Sequence, residues 1–197
     1  MKEEIKKIIK GEVEDGDEIL SKYSHDASIF EVRPKFVIFP KDSEDVQNLV
    51  KWVNENKEKH PELSITARCA GTCMSGGAIG ESIILDFTKY MNKLISFDEN
   101  FITVQPGMFY RDFEKLTLEK GLILPCYTAS KGLNAMGGMF GNNSAGEKTL
   151  KYGKTEDYVL GSKVVFADGV ERNITKTLLS DIPQQDEYTK KIFELIK

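Results

Sequence analysis

Apolar residues recur along the N-terminal part of the chain with the spacing of short helices and strands. Ile5, Ile8 and Ile9 lie at helical spacing among lysines and glutamates, and a second short helical segment over 18–23 follows an acidic, glycine-containing break. The continuous apolar run 36–39, followed by a proline, is typical of a buried strand. The pattern predicts a helical packing arm followed by the first strand of a sheet.

A strand–helix–strand unit is predicted around the next amphipathic segment. Asp42 or Ser43 can cap a helix here, because a short polar side chain accepts hydrogen bonds from the free amides of a first helical turn. Apolar positions then follow on one helical face as far as Val53, and strands are predicted over 63–67 and 82–86. The order is strand, helix, strand, glycine-rich loop, strand.

The second half of the chain alternates short apolar runs with turn signals. Its predicted elements are strands over 90–95 and 101–105 around a turn at 98–100, a helix from Phe109 that stops at Gly121, a hairpin of strands 159–166 and 170–174, and a helix over 188–196. Together with the first unit, these elements favour an α+β fold.

Residues 68–78, with the sequence RCAGTCMSGGA, connect two of the predicted strands. Gly71, Gly76 and Gly77 allow positive φ angles and a close approach of the backbone to a ligand, and consecutive amides in such a loop can bind phosphate oxygens. A glycine-rich turn without a ligand is the alternative. The loop is not a P-loop, because no lysine follows the glycines, and it lacks the Rossmann position at a first strand-to-helix turn.

A second stretch of small residues covers 126–153, with the sequence CYTASKGLNAMGGMFGNNSAGEKTLKYG. Its content of Gly, Asn and Ser predicts loops rather than a core element. A loop-rich span of this length is uncommon in a compact domain unless it binds something. The two small-residue segments together predict a site for a phosphate-bearing ligand.

The composition narrows the classes of partner and location. The 197 residues carry a net charge of −4, with 31 acidic and 27 basic side chains, which argues against nucleic acid or an anionic membrane as a general partner. No apolar run approaches the roughly 20 residues that span a bilayer, and the charged N-terminus is unlike a signal peptide. We therefore expect a cytoplasmic location and no membrane span.

Cysteine and histidine, the usual ligands of structural zinc, are few in the chain. Cys69, Cys73 and Cys126 are expected to be free thiols, and with two histidines in the chain they form a poor ligand set, so no metal site is predicted. His25 and Asp26 are adjacent, but no third partner lies at a suggestive spacing, and we expect them to be solvated or to cap a turn.

Six motifs occur in a fixed order over about 23–169: YSHDAS, RPKFVIFPKDSEDVQNLVKWVNE, RCAGTCMSGGA, VQPGMFYRDFEK, LPCYTASKGLNAMGGMFGNNSAGE and KYGKTEDYVLGSKVVFADG. This set resembles the FAD-binding domain of FAD-linked oxidases of the vanillyl-alcohol oxidase type. The branch that contains D-lactate dehydrogenase and the flavin-binding subunit of glycolate oxidase is the most similar. The resemblance covers most of the chain.

The resemblance implies that FAD binds non-covalently. It places Ala70, Gly71, Thr72, Cys73, Met74, Ser75, Gly76 and Gly77 around the pyrophosphate, Pro125, Ala129, Ser130, Gly137, Gly138, Asn142, Ser144, Ala145 and Gly146 along the flavin and ribityl side, and Val164 at the adenine end. The first loop has no histidine for a covalent flavin link, and Cys73 is expected to be incidental. Cys69 and Ala70 stand where many relatives have glycine.

The resemblance also implies a two-lobed FAD-binding domain of type 2, the PCMH type. We expect an N-terminal helical arm over 1–31, a small first lobe with the pyrophosphate loop over 32–94, and a larger mixed-sheet lobe over 95–197, with FAD between the lobes. Relatives continue into a cap domain with the substrate pocket, so the second lobe is expected to be incomplete here.

The implied function is that of the FAD-binding portion of a flavin-dependent oxidoreductase that acts on a 2-hydroxy acid such as D-lactate or glycolate. No catalytic residue is assigned. The alternative is a non-catalytic subunit, or a fragment of a split flavoenzyme, that binds FAD weakly or not at all and needs a C-terminal half or partner subunit with the substrate domain. Another phosphate-bearing ligand, such as a nucleotide or a UDP-sugar, is a third alternative.

Overall fold

A four-stranded sheet organises the first half of the protein in the computed structural model, which describes residues 1–99 and 101–196. Its strands are β1 (Glu12–Glu14), β2 (Phe36–Phe39), β3 (Ile65–Arg68) and β4 (Ile83–Asp86), in the order β1-β2-β4-β3. Strands β2, β4 and β3 are parallel, whereas β1 pairs antiparallel with β2. The predicted strand–helix–strand unit is confirmed.

Three helices accompany this sheet: α1 (Lys2–Ile8), α2 (Asp17–Tyr23) and α3 (Ser43–Asn56). Ile5 of α1 and Leu49 of α3 are fully buried in one cluster with Ile38 and Ile83 of the sheet. Asp42 caps α3, since its carboxylate accepts a hydrogen bond of 3.1 Å from the Asp45 amide. The two predicted N-terminal helices are confirmed.

Strand β1 lies in the predicted acidic break and was not among the predicted strands. One buried residue, Val13, between two glutamates is too short a pattern to indicate a strand by alternation. Pairing with β2, from Glu12 opposite Phe39 to Glu14 opposite Val37, stabilises it.

The second half of the protein contains antiparallel strand pairs and short helices. In chain order they are β5 (Leu94–Phe97), β6 (Ile102–Val104), α4 (Tyr110–Leu118), α5 (Met136–Gly141), α6 (Thr149–Tyr152), a 3-10 turn (Thr155–Tyr158), β7 (Gly161–Val165), β8 (Glu171–Thr175), a second 3-10 turn (Leu179–Gln184) and α7 (Glu187–Ile196). The pairs are β5–β6 and β7–β8. The fold is therefore α+β, as predicted.

One predicted strand in this half is shorter in the structure than in the prediction, and one predicted turn lies partly outside the described residues. The strand predicted over 90–95 begins only at Leu94, because the preceding residues form a turn in which the Met91 amide donates to the Phe87 carbonyl over 3.1 Å. The turn predicted at 98–100 includes Asn100, which lies outside the described residues.

The segment 126–153 is not only loop, which corrects the sequence analysis. Cys126 and Met139 are buried and form a second core cluster with Tyr110 and Phe113 of α4. The small residues of α5 permit this packing: a Cβ at Gly137 would lie 2.7 Å from the Cβ of Pro106. Glycine here allows a helix to approach its neighbours closely, in addition to allowing loops.

The buried carboxylate of Asp45 fastens the arm to the sheet unit. It is 1% exposed, and its two oxygens accept hydrogen bonds from the amides of Lys10 (2.7 Å) and Lys41 (2.8 Å). These amides belong to the segment after α1 and to the loop after β2. One side chain thus satisfies donors from two separate connections.

Replacing Asp45 by alanine should destabilise the protein by about 3 kcal/mol, since two charge-assisted hydrogen bonds are lost and two amides keep no acceptor. The matched control is Glu44→Ala, whose side chain is exposed and pairs with Lys10 at the surface. We expect this control to cost under about 1 kcal/mol. Urea unfolding measures both values, and equal midpoint shifts for the two variants would contradict the assignment.

Candidate functional site

The loop that follows β3 is closed at its base by Arg68, the last residue of that strand. The guanidinium Nη1 donates to the carbonyl of His25 over 2.8 Å and to the carbonyl of Ala78 over 3.1 Å. The same guanidinium lies 4.9 Å from the ring centroid of Tyr23, whose hydroxyl donates to Asp86 on β4. Arg68 thus joins the two ends of the loop to the segment after α2.

The segment 24–28 stabilises the loop through hydrogen bonds. The Ala27 amide donates to the Gly71 carbonyl over 3.0 Å, and Asp26 accepts from the amides of Ser28 (2.9 Å) and Ala78 (3.3 Å). Burial alone would raise the pKa of Asp26, but the hydrogen bonds from Ser28 and Ala78 outweigh it and hold the pKa below its usual value. The predicted capping role is confirmed for Asp26.

Two of the three loop glycines have the predicted positive φ angles. Gly71 has φ +68° and Gly76 has φ +79°. Gly77 does not adopt one; a Cβ there would meet the Cys73 sulfur at 3.2 Å. A Cβ at Gly71 would lie 2.4 Å from Nη2 of Arg68, so the glycine also leaves space for the guanidinium.

The loop and the segment 126–153 come together around one cleft with a volume of about 230 Å³. The cleft is lined by Thr72, Cys73, Met74, Ser75, Thr128, Ser130, Asn134, Gly138, Met139, Asn142 and Ser144. Residues more than fifty positions apart in the sequence therefore share one site. Every lining side chain is neutral, with hydroxyl and amide groups in the majority.

The structure brings eight of the sequence-predicted site residues into this lining: Thr72, Cys73, Met74, Ser75, Ser130, Gly138, Asn142 and Ser144. The others lie outside it: Ala70, Gly71, Gly76, Gly77, Pro125, Ala129, Gly137, Ala145, Gly146 and Val164. Of these, Val164 is on β7, and Gly146 packs so closely that a Cβ would lie 1.8 Å from the Tyr127 carbonyl oxygen.

Three lining residues, Thr128, Asn134 and Met139, were not singled out in the sequence. They lie within the predicted small-residue segment, so its composition located them only as part of a range. Asn134 is 4% exposed, and its amide nitrogen donates to Thr128 Oγ1 over 2.8 Å. Its Oδ1 is buried and has no hydrogen-bond partner within the described part of the chain.

The three cysteines have different environments, and all are free thiols. Burial, with a smaller effect of Asp86, raises the pKa of the Cys69 thiol to about 12, and burial also raises the pKa of the Cys126 thiol. The pKa of Cys73 is lowered by hydrogen bonds from the Ser75 side chain and from the amides of Ser75 and Gly77. Cys73 is therefore the thiol suited to react.

Limited treatment with iodoacetamide near neutral pH should alkylate Cys73 first, because the thiolate is the nucleophile and the other two thiols are buried or partly buried with raised pKa values. Peptide mass spectrometry identifies the site and the rate. A Cys73→Ser variant should lose the fast phase. Faster labelling at Cys69 or Cys126 than at Cys73 would show that the described loop conformation is wrong.

Metal-binding clusters and membrane-spanning helices are both absent from the described residues. Across 1–99 and 101–196, no group of three or more His, Cys, Asp and Glu side chains is placed to hold a metal ion. In the same ranges, no helix has the length and apolar character to cross a membrane.

Comparison with known proteins identifies relatives of the chain. D-2-hydroxyglutarate dehydrogenase of Stutzerimonas stutzeri is 30% identical over 190 residues, an alignment that covers 93% of this chain and 40% of that protein. Glycolate oxidase subunit GlcD of Bacillus subtilis is 35% identical over 151 residues, which cover 75% of this chain and 31% of the relative. The chain thus spans two fifths or less of the length of these relatives.

The fold also matches a solved structure. 6-Hydroxy-D-nicotine oxidase from Arthrobacter nicotinovorans superposes with a TM-score of 0.74 at 23% identity, covering 88% of this chain and 38% of that one. This confirms the predicted PCMH-type fold class. A sequence model described as FAD binding domain matches residues 34–175. Since this match covers most of the chain, the protein belongs to the FAD binding domain family of FAD-linked oxidases.

Proposed function

We propose that the cleft between the first loop and the segment 126–153 binds FAD non-covalently. The observation that carries this proposal is the meeting of two small-residue segments, distant in sequence, around one neutral polar cleft. In this assignment residues 70–77 bind the pyrophosphate, residues of 125–146 contact the flavin and ribityl groups, and Val164 contacts the adenine end. When bound, FAD supplies a hydride acceptor.

The donor set of the site fits such a ligand. Within the described residues, the main-chain amides of 72–77 donate to no main-chain carbonyl. Apart from those of Ser75 and Gly77, which hydrogen-bond to the Cys73 sulfur, they are available for phosphate oxygens. Asn134 offers a buried acceptor without a partner in the same range. The neutral lining is suited to the flavin and ribityl groups, whose polar atoms are uncharged, while phosphate charge is met by backbone amides.

The cleft is smaller than a typical ligand pocket. Its volume of about 230 Å³ is below the roughly 300–1,000 Å³ of typical ligand pockets, so it takes only part of a dinucleotide.

We propose a first lobe over 32–94 and a second over 95–197, with the arm 1–31 packed on the first and FAD between the two lobes. Thr72–Ser75 come from one proposed lobe and Thr128–Ser144 from the other.

Non-covalent attachment is supported by the chemistry of the lining. The described lining contains no histidine, and the Cys73 sulfur lies 3.3 Å from the Ser75 hydroxyl, within hydrogen-bond distance inside its own loop. A cytoplasmic location is supported by three free thiols, which suit a reducing compartment.

The reaction class that we propose is oxidation of a 2-hydroxy acid such as D-lactate or glycolate by the whole flavoenzyme. The names of the relatives, a D-2-hydroxyglutarate dehydrogenase and a glycolate oxidase subunit, support this class. Because the chain spans 40% or less of these relatives, we propose that a further domain or partner subunit supplies the substrate pocket. The exposed apolar side chains of α7, Leu195 (79%) and Ile196 (78%), favour such a partner.

Titration of the purified protein with FAD should give saturable quenching of flavin fluorescence and a higher melting temperature. At 100 times the dissociation constant, binding adds about 2.7 kcal/mol, which corresponds to a rise of roughly 5–10 °C for a domain of this size. Bound FAD should also slow the alkylation of Cys73, which lines the cleft. UDP-sugar is the control ligand. Protection by UDP-sugar but not by FAD would favour the third alternative and contradict this one.

The 197-residue protein should show no turnover of D-lactate, glycolate or D-2-hydroxyglutarate when it is loaded with FAD. The reason is that the described cleft lining carries no charged side chain or histidine that could take the hydroxyl proton. The assay follows reduction of a dye acceptor in the presence of each substrate. Measurable turnover by the pure chain would refute the need for a further domain or partner.

A further inference from the structure

We infer that Asn134 is a specificity-determining residue of the cleft, whose Oδ1 accepts a hydrogen bond from a neutral N–H or O–H donor in the flavin half of FAD. This inference rests on the proposed function and assigns a role to a residue outside the sequence-predicted set. Two parts of the ligand carry such donors: the imide N–H of the isoalloxazine ring and the hydroxyls of the ribityl chain.

The side chain of Asn134 is fixed in place around its unsatisfied atom. Its main-chain amide donates to the Ser130 carbonyl over 2.9 Å, and its carbonyl accepts from the Tyr110 amide over 3.1 Å. Its Nδ2 donates to Thr128 Oγ1 over 2.8 Å. These contacts fix the position of the side chain, and the bond from Nδ2 to Thr128 sets the orientation in which Oδ1 has no donor.

The unsatisfied Oδ1 points to a ligand because buried polar atoms in proteins are almost always hydrogen-bonded. Asn134 is 4% exposed and lines the cleft, yet Oδ1 has no partner within residues 1–99 and 101–196. A buried acceptor without a donor costs free energy, and the cost is recovered when a ligand supplies the donor. Oδ1 itself is inaccessible to solvent in the protein without ligand, so a ligand donor reaches it only after a small movement of the cleft wall.

The neighbours of Asn134 add a donor to this acceptor. Thr128 Oγ1 already accepts from Asn134, so its hydroxyl proton is free to donate to Ser130 Oγ, which lies 2.9 Å away. The Ser130 hydroxyl is then free to donate to a ligand, and all three residues line the cleft. The Asn134 Oδ1 acceptor thus lies near the Ser130 hydroxyl donor, among neutral side chains. This pair complements a neutral ligand group that can both donate and accept a hydrogen bond, rather than a phosphate.

The test compares Asn134→Leu, which keeps the approximate size but removes both polar atoms, with wild type and with Asn173→Leu on the exposed face of β8 as control. Dissociation constants for FAD and for ADP are measured by calorimetry, together with the melting temperature of each protein without ligand. We expect FAD to bind about tenfold more weakly to Asn134→Leu, whereas ADP affinity, the Asn173→Leu control and the melting temperature change little.

Lumiflavin, which lacks the ribityl chain, and riboflavin distinguish the two donor sources. A loss for both ligands assigns the ring imide, and a loss for riboflavin alone assigns a ribityl hydroxyl; either result supports the inference. If Asn134→Leu does not fold, Asn134→Ser is measured by the same criteria.

Two outcomes overturn the inference, and they are distinguishable from each other. FAD affinity of the variant within twofold of wild type, or a parallel loss of ADP affinity and melting temperature, would give Asn134 a purely structural role and leave the proposed function intact. Failure of wild type itself to bind FAD would overturn both the inference and the proposed function.

Discussion

The fork of hydrogen bonds from Arg68 is the interaction on which the site depends. One guanidinium satisfies the carbonyls of His25 and Ala78 and stacks near Tyr23, so it fixes both ends of a loop that has little apolar packing of its own. Gly71 is needed for the same reason, because any side chain there would displace the guanidinium. A glycine-rich connection is thereby held open toward the segment 126–153.

The sequence predicted most of the fold where the apolar pattern is long. The strand 36–39, α3 and the hairpin 159–174 follow from periodicity, capping and an Asp-Gly turn. Patterns shorter than about four residues carried too little information, so β1 was missed. The core position of α5 could not be predicted either, because its glycines are as typical of a loop as of a helix packed closely on Pro106.

The site was predictable as two segments but not as a set of atoms. Composition alone located both lining regions, and the family resemblance named eight of the lining residues. Asn134 was not predicted as a site residue, because an asparagine in a Gly- and Ser-rich stretch is typical of a turn. Its importance lies in its burial and its bond to Thr128, which are properties of the tertiary structure. Similarly, only the structure separates Cys73, whose thiol pKa is lowered, from Cys69, whose thiol pKa is raised by burial.

The short strand β1 has a consequence for self-association. It covers one edge of β2, which would otherwise present unpaired amides and carbonyls to another chain. Its own outer edge is three residues long and carries two glutamates, one of which pairs with Lys89. A neighbouring strand would have to desolvate these charges to add to the sheet. The acidic stretch that contains β1 thus disfavours edge-to-edge pairing at this edge of the sheet.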